Sequence, residues 1–211
     1  MLGRLRIGTK NGLYAVIVFL FFLALKVFFR VQIRGRENTK QSVGYIAVAR
    51  HRSFWDIPAL TVALGIFNRV HFIARKGLVH GNPLILPVIR VFSTIIDREN
   101  FGKGDFRNML TAMRRERLIG LFPEGTTVEQ ADAKTGAIRF AKLTGKRILP
   151  VNILASGPYP PDYPFRFPRL TVTIGESFSV GDLCSTENDA NTRAERYQRM
   201  NEQLMLRVDN A

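Results

Sequence analysis

The apolar run Leu13–Phe29 (LYAVIVFLFFLALKVFF) constrains the fold more than any other stretch, because only Lys26 interrupts it. A helix of this length measures about 25 Å, at about 1.5 Å per residue, against about 30 Å for the hydrocarbon core of a bilayer. Its apolar residues cover every face, so a helix buried inside a soluble core is the least favoured interpretation. No small-residue cleavage site follows the run, which argues against a cleaved signal peptide.

Two modes of membrane binding remain open for this segment. It either spans the bilayer, with Lys26 reaching the interface, or inserts shallowly into one leaflet. Basic residues flank it on both sides, so the positive-inside rule assigns no orientation. They are Arg4, Arg6 and Lys10 before the run, and Arg30, Arg34 and Arg36 after it. Two basic ends favour a helix that does not cross. We therefore divide the chain into a membrane-associating helix, residues 1–30, and a domain, residues 31–211.

The charge balance narrows the class of partner. Lys and Arg number 31 against 17 Asp and Glu, which gives a net charge of +14. Such a charge favours an anionic membrane, a phosphorylated substrate or nucleic acid as partner. The sequence has no zinc-finger, RNA-recognition or Arg-rich low-complexity pattern, so we expect no nucleic acid. The single Cys184 excludes an internal disulfide and fits a reducing compartment. We expect the protein on anionic lipids at the cytoplasmic face of the inner membrane.

Beyond the apolar run, strand-like and helix-like segments alternate, which predicts an α/β fold: a single mixed-sheet α/β sandwich. Strands are predicted at 30–36, 44–49, 70–74, 94–96, 118–122, 147–152 and 170–174. Helices are predicted after His51 and at about 82–91, 105–117, 134–143 and 192–208. The segment Gly157–Pro168 holds five of the ten prolines, so we predict an irregular surface loop there.

The stretch Ala49–Leu60 (ARHRSFWDIPAL) places His51 and Asp56 five residues apart, just before Pro58. Proline is favoured in the first turn of a helix, so Ser53 or Asp56 is expected to cap a helix here. Residues five apart diverge by about 140° on a helix, so the two side chains meet only if His51 precedes the helix. An ionised Asp56 would then orient the imidazole as a general base. The pair alone is weak, since an N-capping Asp56 and a loop His51 explain it equally well.

Four predicted strand ends carry polar side chains, and α/β sheets bind ligands beyond the carboxyl ends of their strands. These ends hold His51, Arg75 with Lys76, Asp97 with Arg98, and the turn Phe122–Thr127 (FPEGTT). Arg98 offers a bidentate fork to a phosphate, and Glu124 offers an acceptor. Gly125 permits a close approach, while Thr126 and Thr127 supply hydroxyls. Each feature also has a structural explanation, an ion pair with Asp97 for Arg98 and a helix cap for the turn. Together they predict a site for a polar headgroup.

The motifs HRSFWD, IIDR, FPEGTT and LPV, in this order and spacing, resemble the glycerolipid acyltransferase family. That family includes 1-acyl-sn-glycerol-3-phosphate (lysophosphatidic acid) acyltransferases, and the resemblance runs from about Phe28 to Val151. It implies an O-acyltransferase that moves a fatty acyl group from acyl-CoA or an acyl carrier protein to a lysophospholipid hydroxyl. His51 and Asp56 would be the catalytic pair.

The resemblance also implies an acceptor site. Arg98, Glu124 and Gly125 would hold the acceptor, with Thr126, Thr127 and Lys76 as further ligands. Two positions depart from the family pattern: Phe92-Ser93 stands where a Gly is usual, and Thr127 replaces the Arg of FPEGTR. The second change removes a cation beside the headgroup, so the acceptor stays open. Lysophosphatidic acid, which gives phosphatidic acid, is the first expectation, and another lipid or polyol is the alternative.

Two other functions remain open at this point: a non-catalytic protein that binds anionic lipid, and a thioesterase that uses water as acceptor. Ser53 is the candidate for a nucleophile, but it is better explained as a helix cap. His71 and His80 have no ligand spacing with His51, and no cysteine pair exists, so we expect no metal and no cofactor.

Overall fold

The computed structural model describes residues 2–77, 86–97, 100–124, 135–162, 166–183 and 192–211, with only the backbone described for residues 2–7. The helices are α1 Leu2–Phe29, α2 Asp56–Leu64, α3 Leu86–Phe92, α4 Lys103–Arg115, α5 Gly136–Thr144 and α6 Arg193–Asp209. The strands are β1 Gln32–Arg34, β2 Tyr45–Val48, β3 Val70–Arg75, β4 Ser93–Ile96, β5 Leu118–Leu121, β6 Arg147–Ser156 and β7 Arg169–Ile174. Short 3₁₀ turns lie at Arg36–Asn38 and Val180–Leu183.

The described strands form one seven-stranded sheet in the order β1-β7-β6-β2-β5-β3-β4. From β6 to β4 all neighbours are parallel, whereas β7 runs antiparallel to β6 and parallel to β1. The sheet is therefore mixed, which confirms the predicted fold class. Because β2, β5, β3 and β4 are parallel, their carboxyl ends lie at a single edge.

The register of β2 against β5 decides which residues follow each other at that edge. Val48 pairs with Leu121 at the strand ends, so His51 and Glu124 each follow three residues beyond paired positions. On the far side of β5, Arg75 at the end of β3 pairs with Ile96 at the end of β4. The sheet thus gathers the polar strand ends that the sequence predicts.

Helices cover both faces of the sheet, as the residues of β2 show. Tyr45 and Ala47 lie in the core shared with α1 and α2, and Ile46 and Val48 lie in the core shared with α4, α5 and α6. Successive side chains of a strand point to opposite faces, so a strand covered on both sides is apolar throughout. The continuous apolar run of β2 has this cause.

Helix α1 buries one stripe of its surface against the domain. Tyr14, Val18, Leu25 and Phe29 recur at intervals of four and seven residues and are almost fully buried. The Tyr14 hydroxyl donates to the carbonyl of Asn68 at 3.1 Å. The opposite face leaves large apolar side chains exposed, namely Val16, Phe19, Leu20, Leu23, Val27 and Phe28. The predicted boundary at residue 30 therefore separates two segments that share one core.

Several predicted bounds change. The first strand is shorter than predicted, the strand after Arg147 runs on to Ser156, and β4 begins at Ser93. The last helix agrees closely, because Thr192 and Glu195 form a reciprocal capping box at its start. The predicted starts of the helices at 82 and 134 lie outside the described residues, as do His80 and Cys184.

Candidate active site

His51 and Asp56 meet at the carboxyl end of β2. His51 lies on the loop, Asp56 is the first residue of α2, and Nδ1 of the imidazole is 3.3 Å from Oδ2 of the carboxylate. The sequence argument required this placement of His51 before the helix. The distance is long for a charge-assisted hydrogen bond.

Tight turns before α2 bring the two side chains together. The Asp56 N–H donates to the Ser53 carbonyl at 3.1 Å, and the Ile57 N–H donates to the Phe54 carbonyl at 3.3 Å. The turns fold Asp56 back over its own loop, where Oδ2 accepts the N–H groups of Arg52 at 2.6 Å and Ser53 at 2.7 Å. Asp56 therefore does not cap α2, which corrects one of the two expected caps.

Ser53 does not cap the helix either, because the N-cap of α2 is Trp55 and no side chain bonds to it as a cap. The Ser53 hydroxyl accepts the Trp55 N–H at 3.3 Å, in the turn that leads into α2. The Ser53 side chain is buried. Ser53 therefore supports the loop that carries His51 and leads to Asp56.

The Asp56 carboxylate is fully buried yet has several hydrogen-bond donors. His51 and two backbone N–H groups face Oδ2, and the Tyr159 hydroxyl donates to Oδ1. A buried carboxylate is tolerated when donors compensate for lost hydration. The sequence analysis missed Tyr159, because it lies 103 residues away in the proline-rich loop after β6. No local pattern indicates so distant a contact.

The imidazole of His51 rests on an aromatic stack. Its ring centroid is 4.4 Å from that of Phe122, with 20° between the planes, and Phe122 lies parallel to Phe72 beyond it. A side chain at Gly120 would collide with the Phe72 ring and would come within 2.9 Å of Val70. The stack supports one face of the imidazole, whose side chain remains 17% exposed.

Glu124 supports the His51 loop from the neighbouring strand. Its Oε2 accepts the backbone N–H of His51 at 2.8 Å, and its Oε1 pairs with Nη1 of Arg50 at 2.8 Å. The Arg50 guanidinium also donates to both carboxylate oxygens of Asp209, at the end of α6, at 2.6 Å each. The bond to Asp209 raises the pKa of the Arg50 guanidinium. Arg50 and Asp209 escaped the sequence analysis, because they lie 159 residues apart.

The remaining predicted ligands lie farther along the sheet edge or outside the described residues. Lys76 and Asp97 are 3.3 Å apart at the ends of β3 and β4. With strands about 4.8 Å apart, β3 lies about 10 Å from β2. Arg98, Gly125, Thr126 and Thr127 lie outside the described residues, so their contacts stay predictions. Within the described ranges, no cluster of His, Cys, Asp and Glu could hold a metal ion.

The arrangement is suited to general-base catalysis. A carboxylate beside Nδ1 favours the tautomer with its proton on that nitrogen and leaves the lone pair of Nε2 available. The same carboxylate stabilises the imidazolium once a proton has been taken. An alcohol or a water molecule at Nε2 would thereby become a nucleophile.

Comparison with known proteins agrees with this chemistry. The sequence model of a family described as Acyltransferase matches residues 30–154. The chain is 25% identical over 180 residues to the 1-acyl-sn-glycerol-3-phosphate acyltransferase of Bacillus subtilis (strain 168), covering 84% of this chain and 86% of that protein. It is 27% identical over 170 residues to the protein of the same name from Streptococcus pneumoniae, covering 77% of this chain and 62% of that protein.

A solved structure shares the fold. The crystal structure of the 1-acyl-sn-glycerophosphate (LPA) acyltransferase from Thermotoga maritima is similar with a TM-score of 0.70 and 21% sequence identity. The similarity covers 97% of this chain and 82% of that one. At this identity the match supports the architecture alone.

Proposed function

The chain belongs to the Acyltransferase family and is an O-acyltransferase, and on that premise we propose that it acylates the free hydroxyl of a lysophospholipid. The first candidate acceptor is 1-acyl-glycerol-3-phosphate, which gives phosphatidic acid, because the similar bacterial proteins are named for that activity. The donor is an acyl thioester of coenzyme A or of an acyl carrier protein.

In the proposed mechanism His51 is the general base. Its Nε2 takes the proton of the acceptor hydroxyl as that oxygen attacks the thioester carbonyl, and Asp56 stabilises the imidazolium. The tetrahedral intermediate then collapses, the C–S bond breaks, and the imidazolium returns the proton to the leaving thiolate. The contact between Nδ1 of His51 and the fully buried Asp56 carboxylate is the observation that carries this proposal.

Direct transfer to the acceptor, without an acyl-enzyme, fits the surroundings of His51 and Asp56. Ser53 is the only serine in the HRSFWD motif, and its buried hydroxyl accepts the Trp55 N–H. A nucleophilic serine needs a hydroxyl directed at the base and at the substrate. The Ser53 hydroxyl is engaged elsewhere, so the acceptor alcohol itself attacks.

We further propose that the acceptor headgroup binds along the same sheet edge. Arg98, Gly125, Thr126, Thr127 and Lys76 are its proposed ligands, and a backbone N–H near Gly125 stabilises the oxyanion. Glu124 contributes by holding the backbone of His51, since both its oxygens have partners within the protein. We therefore assign Glu124 to positioning the His51 imidazole, which in turn contacts the acceptor.

Helix α1 is proposed to insert shallowly into the cytoplasmic leaflet of the inner membrane. The segment Gly8–Phe29 is long and apolar enough to cross a membrane by length and composition. Its inner stripe, however, contacts the domain from Tyr14 to Phe29, so a spanning helix would draw the domain into the hydrocarbon. With the stripe docked, the exposed apolar face lies in the leaflet.

This placement brings lipid to the dyad. Phe29, at the end of α1, packs on Trp55 with ring centroids 4.7 Å apart, and Trp55 directly precedes Asp56. Beside this contact, Phe28 and Phe54 are both exposed. An acceptor that stays in the leaflet therefore meets the active site at the end of the helix.

A transfer assay tests the function. Purified protein on phosphatidylglycerol vesicles is given radiolabelled acyl-CoA, or acyl carrier protein loaded with the same chain, together with lysophosphatidic acid. We expect labelled phosphatidic acid, and its formation should fall by about 10³-fold or more in His51→Ala. The thermal unfolding of the variant, measured in parallel, should match the wild type within a few degrees.

Other products would lead to other conclusions. Labelled free fatty acid alone would identify a thioesterase, and vesicle binding without turnover would identify a lipid-binding protein. Either result would refute the proposed acyl transfer. A panel of lysophosphatidylglycerol, lysophosphatidylethanolamine and glycerol 3-phosphate, run in the same way, identifies the acceptor where Thr127 replaces the usual Arg.

A further inference from the structure

We propose that Tyr159 is a positioning residue of this site: its hydroxyl holds the Asp56 carboxylate and thereby sets both the orientation and the basicity of His51. The inference rests on the proposed role of His51 and Asp56 as the catalytic pair. It gives a function to the proline-rich loop after β6, for which the sequence predicts only an irregular surface loop.

The two oxygens of the Asp56 carboxylate have different hydrogen-bond partners. Oδ2 faces Nδ1 of His51 and the N–H groups of Arg52 and Ser53, all from the loop beside it. Oδ1 accepts a hydrogen bond from the hydroxyl of Tyr159, on the loop after β6, the parallel neighbour of β2. A carboxylate bonded at both oxygens cannot rotate without losing a partner, so Tyr159 fixes the oxygen that His51 meets.

The phenol is itself held in place by its surroundings. The Arg52 guanidinium lies over the Tyr159 ring at 5.7 Å, and its Nη2 donates to the carbonyl of Ile153 in β6. The Tyr159 ring also packs against the core shared with α1. The loop that carries Asp56 and the loop that carries Tyr159 are thus joined by more than one contact.

The phenol stays protonated, which makes it a permanent donor. Burial raises the pKa of Tyr159 above its usual range, and the negative charge of Asp56 raises it further. At any pH at which the enzyme is assayed, the hydroxyl therefore donates its proton to Oδ1. It does not itself exchange protons with the acceptor, since the contact in the structure is to Asp56.

Removal of this donor should change the basicity of His51 in a definite direction. A hydrogen bond to a carboxylate delocalises part of its negative charge. Without it, the full charge of Asp56 faces the imidazole and stabilises the imidazolium. The pKa of His51 then rises, so the base is protonated over more of the acidic range. The freed Oδ1 also leaves the carboxylate less well oriented, because a buried acceptor has lost its partner.

Tyr159→Phe removes one oxygen and keeps the ring. We expect kcat to fall about tenfold while KM stays within about twofold, because the acceptor and donor sites are untouched. The acid limb of the profile of kcat against pH should move up by about half a unit. Nuclear magnetic resonance of ¹³C-labelled histidine, with His51 assigned through His51→Gln, should show the same rise in its pKa. Tyr197→Phe, on α6, is the matched control and should change neither quantity.

A second variant should shift the pKa of His51 in the opposite direction. 3-Fluorotyrosine at position 159 has a more acidic phenol, which donates more strongly, so the pKa of His51 should fall below that of the wild type. A His51 pKa that is unchanged in Tyr159→Phe, even with a lower kcat, would assign Tyr159 to packing and overturn the proposal. A wild-type protein that forms no phospholipid would refute the proposed function instead, while the histidine titration would still report on the contact.

Discussion

At the scale of single residues, the site depends on a charge that is buried and shared. Asp56 has no solvent exposure, and all of its hydration is replaced by protein donors. Such a carboxylate costs little only while every donor stays in place. The proposed catalytic pair should therefore be as sensitive to the groups behind Asp56 as to the imidazole in front of it.

Asp56→Asn tests the charge while keeping the shape. One end of an amide is a donor, so it either faces Nδ1 of His51 and reverses the tautomer or disturbs the contacts of Oδ1. We expect kcat to fall by about 10²–10⁴-fold. Steady-state transfer assays measure the loss, and circular dichroism checks the fold.

The matched control for this substitution is Asp182→Asn, at an exposed aspartate in the 3₁₀ turn Val180–Leu183. It should keep kcat within about twofold of the wild type. Equal losses in the two variants would mean that Asp56 acts on stability and not on the reaction.

At the scale of elements, α1 has two faces with different functions. Leu25 is fully buried in the core, whereas Leu23, two residues away, is 50% exposed on the opposite face. Deletion of the helix would remove both the core stripe and the lipid-facing surface. Single substitutions separate the two contributions.

Leu23→Asp should weaken binding to phosphatidylcholine vesicles and leave the thermal unfolding of the protein unchanged, because an exposed position loses only its contact with lipid. Leu25→Ala should still bind vesicles but lose about 3 kcal/mol in free energy of unfolding, through the cavity it creates. Vesicle sedimentation and chemical denaturation measure the two effects. If Leu23→Asp sediments as the wild type does, the proposed insertion of this face is wrong.

The sequence predicts some of the contacts between elements and misses others. The approach of His51 to Asp56 could be predicted, because a five-residue spacing and Pro58 fix it locally. The stripe on α1 could not, since every face of that helix is apolar and only tertiary packing selects Tyr14 and Leu25. Tyr159 and the pair Arg50–Asp209 depend on contacts between remote segments, which the order of strands in the sheet decides.

At the scale of the whole molecule, charge and apolar surface act together. The net charge of +14 on the whole chain should attract anionic lipid, at up to about 1 kcal/mol for each basic residue near the membrane surface. The exposed face of α1 adds an apolar contribution that salt does not screen. Membrane binding should therefore have two separable components.

Salt should weaken one component only. Raising the ionic strength from about 0.1 M to about 0.5 M should reduce binding to vesicles rich in phosphatidylglycerol by about tenfold or more. Binding to phosphatidylcholine vesicles, which depends on α1, should change little. Sedimentation assays on the two compositions compare them. Equal binding to both at every salt concentration would show that the charge does not contribute.

The aromatic stack under His51 has a further consequence. The imidazole lies on Phe122, Phe122 lies against Phe72, and Phe72 occupies the space over the backbone of Gly120 that any side chain would fill. The position of the proposed catalytic ring above the sheet thus depends on a missing methyl group in the middle of β5. Gly120, which has no reactive atom, should therefore tolerate substitution as poorly as the two proposed catalytic residues.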